Sequence, residues 1–465
     1  MSRQFTRRDF LRTTLAAGTL SVMDFRVAFA QDATGTQAAV EPPKPRPSGD
    51  SFWYRCNFHN HSQWSDGKDL IDCTCRAYKQ KGYHFFCPSD HNIFQADKLR
   101  FDGFCFNHTP APEFLPEFQG ETSLWKRVSP NNGWPLLTEE HLAFAEQQYG
   151  VKVRSKVVNG VKYVRMTPFA EVQQQVAEPG QFLMVPGFEQ TGRDSTGCEI
   201  HMNFVNVEST FDYIVTDSGE ETIRQTLKKG RELYDGTGKP YIFTTNHPLW
   251  RYYDWGPSAL MNNPEVRYLE LNNNEISGPP ALPGAWTPES FVDIINAYRI
   301  THDQQLVYVT GTDDSHGIRS NAAFAHWQVV RAPELTVEAI FAAMERGDYY
   351  TSSGADFEDI QFDGKTLTVK AVAEPGARYQ IEFFGTKKGY DDSVRYAEVK
   401  EPARKVELYS DQIGQKLLSV DGTKASYTLQ SDDLYVRARL LRIDPPAKVR
   451  FGWEPTPAAW TQVYR

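Results

Sequence analysis

The 465-residue sequence lacks any apolar run long enough for a stable membrane span, and its mean hydropathy is −0.54. Together these properties exclude a polytopic membrane protein. The chain is also short of positive charge, because 50 lysines and arginines face 59 aspartates and glutamates, giving a formal net charge of −9. An acidic chain with no basic cluster argues against a nucleic-acid backbone as the main partner.

Cysteine is scarce, and two common catalytic motifs are absent. The six cysteines permit disulfides in an oxidising compartment, but Cys73 and Cys75 fall on a helical pattern in which i,i+2 side chains do not face each other. We therefore expect that pair to be structural. The sequence has no glycine-rich nucleotide loop and no Gly-x-Ser-x-Gly elbow, so it indicates neither a nucleotide site nor a serine-hydrolase nucleophile.

The first 30 residues predict a targeting signal. The segment Thr6–Arg12 contains two adjacent arginines, a modest apolar stretch follows, and Ala28-Phe29-Ala30 is a small-x-small cleavage site. This is similar to a twin-arginine export signal, and the alternative is a chance arginine pair before a weak helix. We expect residues 1–30 to be the signal, the proline-rich residues 31–50 to be a flexible leader, and the twin-arginine machinery to export the protein to the periplasm or medium. That route carries folded proteins, so metal can be loaded before export.

Five short apolar runs each end in a histidine or an acid. They are Cys56–His61, Phe85–His91, Leu183–Glu189, Phe243–His247 and Val309–His316. If these runs are strands of one barrel or parallel sheet, their carboxyl ends converge and favour a metal cluster. The candidate ligands are His59, His61, Asp66, His91, Glu189, His201, His247, Asp314 and His316.

The spacing of these residues supports a shared site. In His59-x-His61 at a strand end both side chains lie on the same face, because strands alternate with period two, and Asp314-x-His316 repeats this geometry. Imidazole with carboxylate suits Zn, Mn or Fe better than Ca or Mg. Nine ligands exceed the needs of one ion, so we expect two or three divalent metal ions.

The order of elements predicts an α/β fold. Seven strand-like runs before residue 320 alternate with helical patterns, which favours parallel strands and fits a barrel of seven βα units better than an open sheet. Residues 93–181 are too long for one connection and predict an insertion over the rim of the site. After residue 355 the runs alternate without a convincing helix, which predicts a small antiparallel β-sandwich.

The ligand order resembles that of the polymerase-and-histidinol-phosphatase (PHP) superfamily, whose pattern is H-x-H with a following acid, then D-H, a bridging Glu, further His and a final D-x-H. The export signal, the segment Gly311–His316 and the segment Gly347–Gly354 resemble a branch of exported metallohydrolases that includes carbaryl hydrolases. The resemblance implies a distorted (β/α)7 PHP-type barrel with a trinuclear site over residues 51–354, followed by the sandwich at 355–465.

The resemblance also implies roles for single residues. His59, His61, Glu189 and Asp314 would hold a first metal; Glu189 would bridge to a second, completed by His201 and His247; Asp66, His91 and His316 would hold a third. A water between metals would ionise near neutral pH and attack phosphorus or a carbonyl carbon. Asp90 or Asp313 could donate a proton to the leaving group, although Asp90 could equally orient a ligand.

The sequence thus predicts a multinuclear metal-dependent hydrolase of a small-molecule substrate. Phosphoester hydrolysis is the leading expectation, because most of the superfamily does this. Hydrolysis of a carbamate, carboxylic ester or amide is the alternative, and a metal-holding or partner-binding protein without catalysis is a third reading. Three arginines flank ligand positions and could grip an anionic substrate: Arg193, Arg251 and Arg319. Five aromatic residues closely follow ligand positions and could line an aromatic pocket or pack in the core or an interface: Trp64, Trp250, Tyr252, Tyr253 and Trp255.

Overall fold

The computed structural model describes residues 44–95, 116–118, 121, 124–131, 136–250, 255–272, 286–320, 322–400, 403–443 and 456–465. The predicted signal at 1–30 and most of the predicted leader lie outside these ranges, so both stay predictions. The end of that leader, Arg46–Ser48, is a strand that pairs antiparallel with the next strand, and the described fold therefore begins before residue 51. Within these ranges no helix has the length and apolar character that crossing a bilayer would require.

Seven helices occur within the described residues. In chain order, α1 to α7 are Ile71–Gln80, Glu139–Tyr149, Phe169–Val176, Gly219–Tyr234, Ser258–Met261, Pro288–Thr301 and Val337–Glu345. Five of them lie where helical patterns in the sequence predict helices, at about residues 69–81, 138–149, 218–234, from 287 onwards and 336–346, whereas α3 and α5 were not predicted. Capping explains several boundaries: the side chains of Ser218, Thr287 and Thr336 each accept a hydrogen bond from the backbone N–H three residues later. Gly150, with φ of 62°, ends α2 in the left-handed conformation.

The strands are β1 to β24 in chain order. The first twelve are Arg46–Ser48, Ser51–Asn57, Phe85–Phe86, Trp125–Arg127, Ser155–Val158, Val161–Arg165, Leu183–Met184, Gly187–Asp194, Glu199–Val205, Val215–Thr216, Ile242–Thr245 and Tyr268–Asn272. The second twelve are Tyr308–Gly311, Trp327–Ala332, Tyr349–Ser352, Phe357–Phe362, Thr366–Ala371, Tyr379–Gly385, Arg395–Lys400, Ala403–Leu408, Gln415–Asp421, Lys424–Thr428, Arg437–Arg442 and Ala458–Thr461.

Two large sheets carry the predicted ligands. One has the order β21-β18-β23-β24-β15-β14-β2-β3-β7, with β1 beside β2, and the other has the order β10-β8-β9-β11-β12-β13. The pairs β2–β3, β3–β7, β11–β12 and β12–β13 are parallel, as the sequence predicts. In contrast, β9 is antiparallel to both β8 and β11, whereas the prediction has parallel strands throughout.

This pairing shows a mixed α/β fold but does not confirm a closed (β/α)7 barrel, because the parallel strands are divided between two sheets. The antiparallel strands predicted after residue 355 are present. However, β18, β21, β23 and β24 continue the sheet that contains β2, while β16, β17 and β22 form a separate three-stranded sheet. An independent C-terminal sandwich is therefore not confirmed, and the boundary at 354/355 stays a prediction.

The predicted insertion at 93–181 contains ordered structure next to the site. Strands β4, β5 and β6 form a three-stranded sheet, and the turn between β5 and β6 has Asn159 and Gly160 at φ of 47° and 75°. The Asn159-Gly160 pair in the sequence predicts a hairpin turn, and these positive φ values are those that such a turn requires. The buried Lys126 on β4 donates from Nζ to the carbonyl of Gln63 at 2.7 Å, and Trp64 donates to the carbonyl of Thr167 at 3.0 Å. The insertion thus supports the loop that precedes Asp66.

A buried network of charges joins α6 to the C-terminal strands. Arg437 on β23 donates from Nε and Nη2 to Asp293 at 2.8 and 2.6 Å, and its Nη1 lies 2.7 Å from Glu289. Arg439 and the indole of Trp460 also donate to Glu289, at 2.6 and 3.0 Å. Buried charges are tolerated when they are paired and hydrogen-bonded in this way. The network makes the C-terminal strands part of the packing of α6.

Candidate metal centre

Four of the predicted ligands form one buried group. His59 and His61 follow β2, Glu189 lies on β8, and Asp314 follows β13. The Nε2 atom of His59 lies 3.1 Å from Glu189 Oε2 and 3.2 Å from Asp314 Oδ1. The Nε2 atom of His61 lies 3.2 and 2.9 Å from the same two oxygens. These four residues are the set that the family resemblance assigns to a first metal, and their donor atoms lie within 4.8 Å of one another.

Glu189 stands at the middle of the cluster, with its two oxygens turned to different histidines. Its Oε2 atom faces His59 and His61, as above, and also lies 3.1 Å from His91 Nδ1. Its Oε1 atom lies 3.1 Å from His201 Nδ1 and 3.7 Å from His247 Nε2. A carboxylate held between two sets of imidazoles has the arrangement that a bridging ligand requires.

A second group of predicted ligands lies around Asp66. The Oδ2 atom of Asp66 is 3.3 Å from His316 Nε2 and 3.9 Å from His91 Nε2, and its Oδ1 atom is 3.6 Å from His61 Nδ1. The imidazole of His61 stacks between those of His91 and His316, with ring centroids 4.4 and 4.2 Å apart. His61, Asp66, His91 and His316 therefore form a second group that could hold an ion.

His201 and His247 complete the cluster on its far side. His201 lies on β9 and forms a group with Glu189 and His91. His247, directly after β11, has its Nε2 atom 3.6 Å from Asp314 Oδ2, and its ring centroid is 4.9 Å from that of His201. All nine predicted ligands thus lie around one centre. Their individual roles stay predictions.

Burial differs across the cluster. The side chains of His59, His61 and Glu189 are 0% exposed, whereas those of His91 and His316 are 13% and 23% exposed. Of these ligands, His91 and His316 are therefore the more accessible to solvent.

Backbone geometry at the site is unusual at three positions. Asp314 and His247 have φ of 47° and 20°, in a region that non-glycine residues rarely adopt and that costs about 1–3 kcal/mol. Gly67, in the predicted turn after Asp66, packs so closely that an added Cβ would overlap the backbone of His61 and Ser62. The surrounding structure holds these conformations in place, as expected where side chains must be aimed at a common point.

The donor atoms fit a group of divalent cations. Glu189 Oε2, His59 Nε2 and both ring nitrogens of His201 are buried and have no hydrogen-bond partner among the described residues. Two ligands about 2.1 Å from a tetrahedral ion lie about 3.4 Å apart, close to the separations between the imidazole nitrogens and carboxylate oxygens here. Unpaired buried polar atoms are costly, and ligation would satisfy them.

The carboxylates change the protonation of the histidines. Burial alone would lower the pKa of His61, but its hydrogen bond to Asp314 and the nearby Glu189 carboxylate outweigh burial and raise the pKa to about 10. Burial likewise lowers the pKa of His201, and Glu189 and Glu199 raise it to about 10. For His91, burial prevails and lowers the pKa to about 4. Since a ligand imidazole must be neutral, protons compete with cations for His61 and His201, and metal affinity is expected to fall as the pH falls.

Asp90 and Asp313, both predicted to be catalytic, accept hydrogen bonds from the backbone of loops next to the site. Asp90 accepts hydrogen bonds from the backbone N–H of Ser62 at 2.7 Å and of Ser65 at 3.0 Å, and from both hydroxyls at 2.8 and 2.7 Å. It thereby fixes the turn that leads to Asp66. These contacts favour a positioning role for Asp90, and proton donation by it stays a prediction.

Asp313 has a comparable environment. It accepts hydrogen bonds from the backbone N–H groups of Ala325 and His326, both at 2.8 Å, and from the hydroxyl of Tyr78 at 2.7 Å. Burial raises the pKa of Asp313 to about 6 despite these contacts. The residue anchors the segment after β13 that delivers Asp314. Proton donation by Asp313 also stays a prediction.

The three flanking arginines are not shown to bind substrate. Arg193 forms an ion pair with Glu199 at 2.5 Å. Arg319 forms one with Glu140 of the insertion at 2.7 Å. Arg251 lies outside the described residues. A role in gripping an anion stays a prediction for all three.

Sequence reasoning missed Glu270, which lies in the centre of the site region. Glu270 is on β12 and is 1% exposed, and its Oε1 atom lies 2.7 Å from His59 Nδ1. It also missed the buried Asn246, which donates to Glu189 Oε1 at 2.7 Å. The available signal was that the predicted strand 267–271 carries an acid near its carboxyl end, as the strands with ligands do. A single glutamate in such a run is too common to be singled out.

Comparisons with known proteins add little to this geometry. No protein-family model and no curated protein matches the chain. Among solved structures, the chain is similar to a two-domain protein from Bacteroides vulgatus ATCC 8482 that contains a predicted PHP-like metal-dependent phosphoesterase. Identity is 12%, the alignment covers 92% of this chain and 99% of that chain, and the TM-score is 0.36. A similarity at this level does not assign the chain to a family. The resemblance to the branch that includes carbaryl hydrolases stays a prediction.

Proposed function

We propose that this protein is a multinuclear metal-dependent hydrolase that acts on phosphoesters. The observation that supports this most directly is the position of Glu189. Its carboxylate is fully buried, and each of its two oxygens faces a different set of imidazoles. Such a residue would help to hold two cations close together. Divalent ions held there would supply Lewis acidity, which lowers the pKa of a water molecule and stabilises an oxyanion.

The charge of the site favours an anionic substrate. Three ligand carboxylates, Asp66, Glu189 and Asp314, lie among the imidazoles. Two divalent cations would leave a surplus of one positive charge in this ligand set, which the adjacent Glu270 carboxylate would offset, whereas three would leave a net positive charge even with Glu270 included. A partly enclosed positive site attracts a phosphate group more strongly than a neutral carbamate. The exposed edges of His91 and His316 are where such a group would enter.

One observation favours the alternative of carbamate, carboxylic ester or amide hydrolysis. The partly buried indole of Trp250 lies 5.1 Å from the ring of His201 and 5.4 Å from the ring of His247, measured between centroids. An aromatic wall beside the cluster suits a flat apolar leaving group such as a naphthyl ring. Trp250→Ala should then raise the KM for a naphthyl ester or carbamate more than the KM for a small phosphoester.

The deciding experiment combines metal content with turnover. The full chain is loaded with Mn²⁺ or Zn²⁺, its metal is measured by mass spectrometry, and p-nitrophenyl phosphate, bis-p-nitrophenyl phosphate and a 1-naphthyl carbamate are offered. Glu189→Gln should lose bound metal and turnover, whereas His302→Gln, an exposed histidine at the end of α6, should keep both. Turnover of the naphthyl substrate alone would promote the alternative. A protein that holds metal but turns over none of the three would favour the non-catalytic binding protein.

A further inference from the structure

Glu270 is a buried carboxylate with three donors around it. Its Oε1 atom lies 2.7 Å from His59 Nδ1 and accepts a hydrogen bond from the Thr312 hydroxyl at 2.6 Å. Its Oε2 atom accepts a hydrogen bond from the backbone N–H of His247 at 3.2 Å. These three partners come from different strands, since His59 follows β2, His247 follows β11, and Thr312 follows β13. The side chain therefore ties together segments that are far apart in the chain.

The contact to His59 settles which nitrogen of that imidazole faces the cluster. A carboxylate only accepts, so the Nδ1–H of a neutral His59 donates to Glu270 and the lone pair is on Nε2. Nε2 is the atom that lies 3.1 and 3.2 Å from the oxygens of Glu189 and Asp314. A second acceptor behind a ligating histidine fixes both its tautomer and its ring orientation.

The contact to His247 acts on the backbone. His247 has φ of 20°, a strained value for a residue with a side chain. The hydrogen bond from its N–H to Glu270 is one of the interactions that hold this conformation, and the conformation directs the imidazole towards Asp314 and Glu189. One carboxylate thus supports ligands on both sides of the cluster.

We propose that Glu270 is a positioning residue that presets His59 and His247 for metal binding without being a ligand itself. The inference rests on the proposed function only in that the cluster must bind divalent ions. Glu270 belongs to none of the groups of convergent donors among the described residues, which separates its role from that of Glu189.

Glu270→Gln tests this role with little change in shape. Glutamine has one acceptor oxygen and one NH₂ group, so it cannot accept from His59, Thr312 and the His247 N–H together. We expect the affinity for Co²⁺ or Mn²⁺ to fall about 10- to 100-fold. The visible spectrum of the Co²⁺-loaded protein should also change, because the geometry at His59 is altered. The unfolding midpoint of the metal-free variant is measured alongside, so that a loss of metal affinity can be separated from a loss of folding.

Two further variants keep the test decisive. Thr312→Val removes one donor to Glu270 without touching a ligand and should weaken metal binding less than Glu270→Gln. Glu270→Asp restores the charge on a shorter side chain and should recover part of the affinity. If Glu270→Gln does not fold, a Glu270→Asp protein with wild-type affinity and an unchanged Co²⁺ spectrum would overturn the inference.

The outcome can be separated from that of the proposed function. If the wild type binds metal and hydrolyses a phosphoester while Glu270→Gln binds metal equally well, the inference falls and the function stands. If the wild type binds metal but hydrolyses none of the substrates, the function falls, and the affinity ratio still decides the inference. A wild type that retains no divalent metal would overturn both.

Discussion

Replacing Arg437 by alanine should strongly destabilise the protein. Arg437 is not one of the predicted ligands, and its importance comes from the buried charges that it neutralises. Arg437 is 4% exposed and neutralises Glu289 and Asp293, which are 7% and 1% exposed. Removing one partner of a buried charge pair costs about 3–5 kcal/mol, because the other charge is left unpaired in a low-dielectric environment. Arg437 makes three contacts of 2.6–2.8 Å to two carboxylates, so we expect a loss at the upper end of that range.

The measurement is urea unfolding followed by tryptophan fluorescence, with the free energy of unfolding obtained by linear extrapolation. Arg442→Ala is the matched control, because it lies on the same strand and pairs with Glu374 at the surface. An exposed pair of that kind contributes about 0–1 kcal/mol. A loss below about 1 kcal/mol for Arg437→Ala would contradict the reasoning and show that water or the other groups satisfy the two carboxylates.

The effect of Arg437 should also depend on pH with a definite sign. Burial alone raises the pKa of Glu289, but Arg437 and Arg439 outweigh burial and lower the pKa below 4.5. A carboxyl group with a lowered pKa in the folded state stabilises the protein above its unfolded pKa, and this contribution is lost as the pH falls through the folded value. The difference in stability between wild type and Arg437→Ala should therefore narrow below about pH 4.5 and be largest near neutrality. A difference that grows on acidification would contradict this assignment.

Three further predictions follow from the site and its support. His59→Ala or Asp314→Ala should abolish turnover and reduce bound metal, measured by mass spectrometry, and a variant with full turnover would remove that residue from the site. Gly67→Ala should lower the metal content and the midpoint temperature of unfolding, because its Cβ would overlap the backbone at His61 and displace the turn that carries Asp66. If both values are unchanged, the turn adjusts freely. Deleting 355–465 should give an insoluble or unfolded protein, since β24 pairs with β15 and the Gln462 amide bonds both backbone groups of Val309, at 2.8 and 3.0 Å; a soluble, folded but inactive fragment would contradict this.

Much of the candidate site could be predicted because many of the ligands stand at a recognisable place in the sequence, at the end of a short apolar run. His59, His91, Glu189, His247 and Asp314 each directly follow or end an apolar run, and a polar residue at the end of a buried strand is recognisable without any knowledge of its neighbours. The helix boundaries at Ser218, Thr287 and Thr336 were equally local, since a cap acts on the backbone only three residues away.

The missed features depend on residues distant in sequence. Strand β9 was expected to run parallel to its neighbours, but it folds back on β8 and also pairs antiparallel with β11. The last strands were expected to form their own sandwich, yet β23 and β24 join the sheet of β15 and β2. Alternation of apolar and polar residues predicts a strand and its buried face, but it does not identify the strand's partner.

What the sequence by itself determined is the chemistry at hand: nine imidazole and carboxylate donors, their order, and the apolar segments that carry them. Tertiary structure alone decided how the donors are arranged, with Glu189 between two sets of histidines, His91 and His316 more accessible to solvent, and Glu270 behind His59. The physical reason is that residue type and local periodicity are properties of short segments. A distance of about 3 Å between donors exists only after strands from across the chain have packed and their buried polar atoms have been paired.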